Sequence, residues 1–597
     1  MPTSPGLFDD ETVAKMGHPG SSRTARVGGR GVDGRGASEI DESGGRLGES
    51  DIDLMAAAAT TMDIAVPWRP RINPWIVAMT VTLATFMEVL DSSIANVALP
   101  HIAGGLGATQ DEATWVLTAY LVANAIILPA GAYMTTFIGR KKFYMICVAL
   151  FGISSALCGL APTLPLLVFC RVLQGIGGGG LAPSEQAILA DTFPPEKRGQ
   201  AFAMYGLAVV CAPAIGPTLG GYITDNFDWR WIFYLNVPIC LLSLYLTSRI
   251  VEDPPYVKEQ VKQTQKGGMK LDLLGFGLLA TTFGSLEFVL DKGQEDDWLG
   301  SHLIVFFIVA MVLAFGLMIW WELKQLDEGH RPILNLTLFK RRQFAISFVL
   351  MFVLGFALYG TTILIPQFVQ TMLGYTAELA GLVLSPAGVM MMCMMPVVGL
   401  LVGRIDPRKL IGYGFLMLTM SLLWMGNLNL QLSYAQLVLM RIFQASGLAF
   451  LFIPINTIAY IGVKQSENND VSGLTNLARN IGGSCGTAFM ATMLTRRTAA
   501  HESSMVRDLG PQHPGYMNWM KSLQGVFKPG NGTAPTGGGA TLGATHQAQA
   551  YMYNMMHRQA ATLAYVDIIR YLTIFCACMI PLLFFIPRPP KHARPGH

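Results

Sequence analysis

A handful of ionisable residues lie inside otherwise apolar runs: Glu88, Asp91, Arg171, Glu185, Glu287, Arg441 and Arg479. A charge at mid-membrane costs about 2.5–3.5 kcal/mol on insertion scales, so each is a candidate for function. Glu88 and Asp91 are three residues apart, which puts both carboxylates on one helix face. Burial disfavours the charged form of an acid. Such a group can load a proton in one conformation and release it in another. Asp91 is the first candidate for proton coupling, with Glu88 beside it and Arg171 biasing the acid by its charge. Arg171 shares a helix face with Gln174, and Arg441 with Gln444 repeats that pair. The other reading of both arginines is structural: each ties down backbone carbonyls of neighbouring helices. Asn96, Gln174, Glu185, Arg441, Gln444 and Asn456 are the polar groups expected along a substrate cavity. Glu185 either faces the cavity mouth or pairs with a basic neighbour. Glu287 and Asp291 read as interface residues.

A second constellation concerns motion. In AVVCAPAIGPTLGG, Ala208, Ala212, Gly216 and Gly220 recur every four residues, and Gly221 follows. Such a stripe lets another helix approach closely. Pro213 and Pro217 each remove a backbone donor and bend the helix. The stripe is either ordinary tight packing or a moving seal. In GAYMTTFIGRKK, Gly131 opens a short break and Gly139 permits its turn. Arg140 and Lys141 can grip a helix C-terminus or an acid across an interface, or simply anchor the loop.

These residues need an element to hold them, and composition says which kind. Of 597 residues, 52% are hydrophobic and only 14% charged, with a mean hydropathy of +0.42. Soluble chains carry roughly 25% charge. The chain therefore reads as an all-α polytopic membrane protein. A net charge of +3 is too balanced for a nucleic-acid footprint. The nine cysteines form no CxxC pair and no metal-ligand spacing, so neither a disulfide scaffold nor a metal site is expected. GxxxxGK[ST] is missing, which removes ATP-driven transport by this chain alone. No catalytic constellation appears, and an enzyme is not expected.

Apolar runs long enough to cross a bilayer fall near 75–98, 113–136, 143–162, 165–190, 200–224, 231–250, 272–291, 301–322, 344–370, 378–402, 410–428, 434–461, 472–494 and 563–586. Fourteen helices place both termini on one side. Basic breaks such as Arg140–Lys142, Lys197–Arg198, Lys340–Arg342 and Arg404–Lys409 alternate with breaks 99–112, 373–377 and 429–433, which hold no Lys or Arg. By the positive-inside rule the basic breaks and both termini are cytoplasmic.

The chain also repeats. LDSSIANVALP (90–100), GAYMTTFIGRKK (131–142) and RVLQGIGGGGLAP (171–183) return in order as LYGTTILIP (358–366), GLLVGRIDPRK (399–409) and RIFQASGLAFLFIP (441–454). Two six-helix halves follow, at 73–250 and 344–587, with two linker helices in the insert 251–343. Repeats of this kind mark transporters, whose substrate binds between the halves. Residues 1–72 are too polar to fold: a solvated tail, a regulatory tail, or a start codon placed upstream of the true one. Residues 588–597 read as a cytoplasmic tail. The segment 495–562 reads as a long extracytoplasmic loop, either a lip of the pore or a partner contact.

LDSSIANVALP, RVLQGIGGG, APAIGPTLGG followed by WRWIFYLNVP, LDKGQEDDW and NDVSGLTNLARNIGGSCGTA together resemble the 14-helix drug:proton antiporters of the major facilitator superfamily, EmrB/QacA type. The resemblance covers about residues 73–590. It implies a major facilitator fold with two extra central helices. The implied activity is export of lipophilic, often cationic compounds across the bacterial inner membrane, driven by the proton gradient without a cofactor. It also implies, besides membrane lipid, a periplasmic membrane-fusion adaptor and an outer-membrane channel as partners. Asp91 matches the family's helix-1 acid and Arg171 its helix-4 arginine. One position departs: Thr135 stands where the family's loop motif has Asp, so only Gly131, Gly139, Arg140 and Lys141 carry over. The alternative function is proton-linked export or import of one metabolite, lipid or siderophore. A receptor derived from a transporter is the third class.

Overall fold

A computed structural model describes residues 70–266, 271–508, 514–527 and 539–585. The expected tails at 1–72 and 588–597 lie outside the described residues, apart from 70–72. The described residues are helical and include no strand. Among the described residues, twelve helices are long and apolar enough to cross a membrane, by length and composition.

The first half holds α1 (Pro74–Leu106), α2 (Trp115–Ile138), α3 (Arg140–Leu160), α4 (Leu164–Gly179), α5 (Leu181–Thr192), α6 (Arg198–Asn226) and α7 (Asn236–Ile250). An amphipathic helix α8 (Pro255–Lys266) leads to the linker pair α9 (Leu273–Lys292) and α10 (His302–Asp327). The second half holds α11 (Arg342–Thr371), α12 (Ala377–Val402), α13 (Pro407–Met425), α14 (Tyr434–Ala459), α15 (Asn468–Asp508), α16 (Pro514–Phe527) and α17 (Gly539–Ala577). Every expected run is occupied. The fourth is split into α4 and α5 at Gly180. The runs at 410–428 and 472–494 are filled by α13 and α15, which fall outside the twelve.

Local chemistry fixes the ends. Asn73 caps α1 by accepting from Trp75 N at 3.0 Å, and Gly107 closes it at φ 63°. Gly139 turns between α2 and α3 at φ 87°, a conformation other residues resist. Gly175, Gly177 and Gly179 pack α4 onto two neighbours at once. A Cβ there would stand 2.5 Å from Tyr120 O, 2.7 Å from Phe151 N and 2.6 Å from Asn124 O. This is why the fourth helix can be read between α2 and α3. The stripe on α6 faces α1: a Cβ on Gly220 would meet Ile94, and one on Gly216 would overlap Ser93. Gly221 faces open space, so it is not part of that contact.

The halves meet along α2 and α5 against α15, and α6 against α12 and α14. α9 packs on α2 and α15, touching both halves, while α10 lies outside it. Glu287 accepts from Ser484 Oγ on α15 at 2.6 Å, and Asp291 accepts from Thr118 on α2. These acids are therefore interface groups.

The segment 495–562 is not a loop along most of its length. α15 runs 41 residues to Asp508, and α17 runs 39 residues from Gly539. At 1.5 Å per residue each is about 60 Å long, twice the hydrocarbon thickness. The reason is composition: THQAQAYMYNMMHRQAA is rich in helix formers and lacks Gly and Pro. Apolar length finds only the part inside lipid.

Candidate functional site

The densest buried polar cluster lies within the first half. Arg171 Nη1 donates to Asp91 Oδ2 at 2.6 Å and to Gln174 Oε1 at 2.8 Å, and its Nε donates to Val116 O at 3.0 Å. Asp91 Oδ1 accepts from Gln174 Nε2 at 3.0 Å and from Asn236 Nδ2 at 2.6 Å. Ser155 accepts from the same two amides and donates to Phe233 O at 2.9 Å. All of these residues are at most 2% exposed. An ion pair this deep persists only when most of its remaining lone pairs and protons are also engaged. Val116 of α2, Gln174 of α4 and Asn236 of α7 supply these bonds, while Arg171 Nη2 is buried with no hydrogen-bond partner among the described residues. Asp91 thus has both oxygens engaged and lines neither of the two cavities described below. Gln174, expected along the cavity, belongs to this cluster instead.

Glu88 differs. One oxygen accepts from Asn124 Nδ2 at 3.0 Å and from Tyr120 Oη at 3.5 Å, while Oε2 is buried with no hydrogen-bond partner among the described residues. Tyr120 links the two acids, because its ring lies 4.4 Å under the Arg171 guanidinium. Gly178 makes room: a Cβ there would come within 2.8 Å of the Tyr120 hydroxyl and 3.5 Å of Glu88 Cγ. Glu185 accepts from Thr82 Oγ1 at 2.6 Å, and its second oxygen is also buried without a partner. Among the described residues it pairs with no basic side chain.

The second half contributes two buried cations, Arg441 and Arg479, with no carboxylate within ion-pair distance among the described residues. Arg479 Nη1 donates to Tyr205 Oη at 2.8 Å across the interface between halves. Tyr205 donates to Asn476 Oδ1 at 3.0 Å, and Asn476 donates to Gln186 Oε1 at 2.9 Å. Arg441 donates to Gln444, and both keep buried nitrogens unbonded. They line a cavity of about 90 Å³ with Pro213, Tyr359 and Met391. It has room for several waters but is smaller than the roughly 300–1,000 Å³ of a drug-sized pocket. The repeat aligns Asp91 with Tyr359, which explains why Arg441 has no carboxylate partner. Asn456 is buried and donates to Phe452 O at 3.0 Å. Asn96 is exposed and donates to Ser92 O at 3.0 Å, away from this cavity.

At the basic end the halves are bonded together. Arg140 pairs with Asp191 and donates to Ala187 O at 3.0 Å and Tyr256 Oη at 3.1 Å. Tyr256 donates to Asp191 at 2.6 Å, and Asn468 at the start of α15 donates to Asp191 at 2.7 Å. Thr135 accepts from Asn469 Nδ2 at 2.6 Å, and Asp470 takes Arg331 at 3.2 Å. Lys141 donates from Nζ to Ser248 O at 2.8 Å. Gly131 packs against Phe143, whose Cε1 would lie 3.3 Å from an added Cβ. Sequence reasoning misses Asp191, Tyr256 and the Asn468–Asn469 pair. The only signal is three polar residues in a row at a helix start.

Two repeated helical halves, each with a buried Arg–Gln pair and joined by ionisable groups at their interface, define a secondary membrane transporter. The Major Facilitator Superfamily profile matches residues 81–487. The chain is 36% identical over 441 residues to the probable multidrug resistance protein EmrY of Escherichia coli K12, covering 74% of this chain and 84% of that one. It is 35% identical over 461 residues to the multidrug export protein EmrB of the same organism, covering 77% and 88%. Among solved structures, the proton:xylose symporter XylE bound to 6-bromo-6-deoxy-D-glucose shares the fold. Its TM-score is 0.52 at 15% identity, covering 86% of this chain and 96% of that one. The chain belongs to the Major Facilitator Superfamily, among its EmrB-type multidrug transporters.

Proposed function

We propose that this chain exports lipophilic, often cationic compounds from the bacterial cytoplasm in exchange for protons, by alternating access and without a cofactor. The observation that carries the reading is Glu88: a part-buried helix-1 acid whose Oε2 is buried with no hydrogen-bond partner among the described residues, joined through Tyr120 to the Asp91–Arg171 pair. When the outer side is open, Glu88 takes a proton and loses its attraction for a bound cation, which leaves. When the inner side is open, the proton departs and a cation binds again. Asp91 does not meet substrate in this scheme. It holds Arg171, and Arg171 holds the Tyr120 ring that donates to Glu88. Glu185 and Arg479 share the same interior and set its balance of charge. Pro213, Gly216, Pro217 and Gly220 form the bend and close contact along which α6 moves against α1. Gly131, Gly139, Arg140 and Lys141 build the basic end, which closes in this conformation.

The reading places the basic end and both termini in the cytoplasm, with fourteen crossings of the inner membrane once α13 and α15 are included. The projecting ends of α15 and α17 then stand in the periplasm, where a membrane-fusion adaptor leading to an outer-membrane channel would meet them. The test is efflux of a cationic dye from an efflux-deficient host, with and without an uncoupler. Glu88→Gln should remove uncoupler-sensitive efflux; wild-type efflux from that variant would refute the assignment. A second reading, transport of one anionic metabolite or lipid, is favoured by Arg441 and Arg479, which have no carboxylate within ion-pair distance among the described residues. Movement of a lipophilic carboxylate but no cation in the same host would select it.

A further inference from the structure

A second cavity lies away from the central residues. It measures about 630 Å³, within the range of small-molecule sites, and sits at the end of the molecule away from Arg140. Four elements build it: the extension of α15 (Met505, Val506), α16 (Tyr516, Trp519, Met520), the extension of α17 from Gln549 to Gln559, and Leu430 between α13 and α14. The walls are fixed from behind. Arg497 and His501 of α15 bond Asp567 of α17 at 2.7 and 2.9 Å, and Glu502 bonds His557. Met520, Ala548 and Met552 form a small buried core joining α16 to α17, flanked by Tyr516 and Leu523.

The lining states what would bind. Five methionines and three aromatic rings give a wall that adapts to apolar shapes. Gln549 and Gln559 supply amides, and Arg558 is the only charged side chain among the lining residues. Among the described residues no carboxylate lines the cavity. Arg558 donates from Nη2 to Met372 O at 2.6 Å, which holds its guanidinium at the rim. Between residues 495 and 570 there are seven Lys or Arg against three Asp or Glu. The field therefore favours negative charge. Trp519, Val506 and Tyr553 are about half exposed, so the cavity opens to its surroundings.

We infer that this cavity is a second ligand site, separate from the transport pathway, that takes a lipophilic molecule with an anionic polar end seated at Arg558. The chain length of the ligand is set by the cleft between α16 and α17, and the head group by the guanidinium. The site is distinct in charge from a central pathway in which Glu88 awaits a cation. It stands whichever way the chain transports and whatever its cargo.

The test uses the full chain in lipid nanodiscs and 11-bromoundecanoate, whose bromine quenches tryptophan on contact. A saturable quenching component should appear, be displaced by undecanoate, and vanish in Trp519→Phe. Arg558→Gln should weaken bromoundecanoate binding at least fivefold and leave 11-bromoundecanol within twofold. Met556→Glu should weaken the carboxylate at least tenfold, and its unchanged melting temperature would separate this from unfolding. The inference is overturned if no component depends on Trp519, or if a brominated alkyltrimethylammonium competes equally well. Shielding of Trp519 by an added adaptor protein, with no response to bromoundecanoate, would overturn it in favour of a protein contact.

Discussion

Replacing Asp91 with Asn tests the buried cluster directly. The carboxylate takes three hydrogen bonds, from Arg171, Gln174 and Asn236, at 2.6 to 3.0 Å. An amide has one oxygen. If it turns that oxygen to Arg171, its NH2 faces two donors. If it turns the other way, Arg171 meets an NH2. Either orientation leaves a fully buried guanidinium without a counter-charge. Breaking one side of a buried pair costs about 3–5 kcal/mol. Total stability is about 5–15 kcal/mol, so the loss is a large fraction of it. Asp91→Asn should lower the melting temperature in detergent by several degrees, read by fluorescence size-exclusion after heating. Adding Arg171→Gln removes the stranded charge and should recover at least half of the loss, since a buried pair can often be replaced by neutral groups at little cost. The double variant should still fail to couple transport to protons, because Tyr120 no longer has a guanidinium over its ring. If Asp91→Asn melts like wild type, or the double variant melts lower than the single one, the pairing argument is wrong.

Three further outcomes are expected. Asn469→Ala removes one buried bond to Thr135, worth about 0.5–1.5 kcal/mol; Met134→Cys, which leaves Thr135 in place, should then be labelled from the basic end roughly 2- to 10-fold faster. Gly220→Val should cost about 1–3 kcal/mol because its side chain meets Ile94, whereas Gly221→Ala should change the melting point little, since nothing lies within 4 Å of its added carbon. Tyr120→Phe keeps the ring under Arg171 but loses the hydroxyl to Glu88, so it should retain stability within about 1 kcal/mol while shifting the pH dependence of efflux. An unchanged pH profile would remove Tyr120 from the coupling route.

The helices are legible because a bilayer imposes length and apolarity on every crossing, and the repeat is legible because both halves keep Arg, Gln and small residues in one order. The extensions of α15 and α17 are not, because outside lipid a helix needs no apolar run. Within the site, cost exposes the charged residues: Asp91, Arg171 and Glu88 stand out because burying them is expensive. Asn236, Ser155 and Tyr120 complete the same network, yet as neutral side chains they leave no comparable mark. Asp191 is hidden for another reason. It precedes TFPP at a helix end, where an acid reads as ordinary aqueous boundary. Thr135 in place of the family's Asp predicts a changed lock, but not that Asn469 would answer it from the other half.

Proton-coupled export itself is tested most directly in proteoliposomes holding pyranine, with an acidic lumen and a cationic dye outside. Dye should accumulate in the lumen against its own gradient while lumenal pyranine reports loss of protons, and Glu88→Gln should abolish both. Dye entry that only follows its own gradient, with no proton movement, would contradict the account.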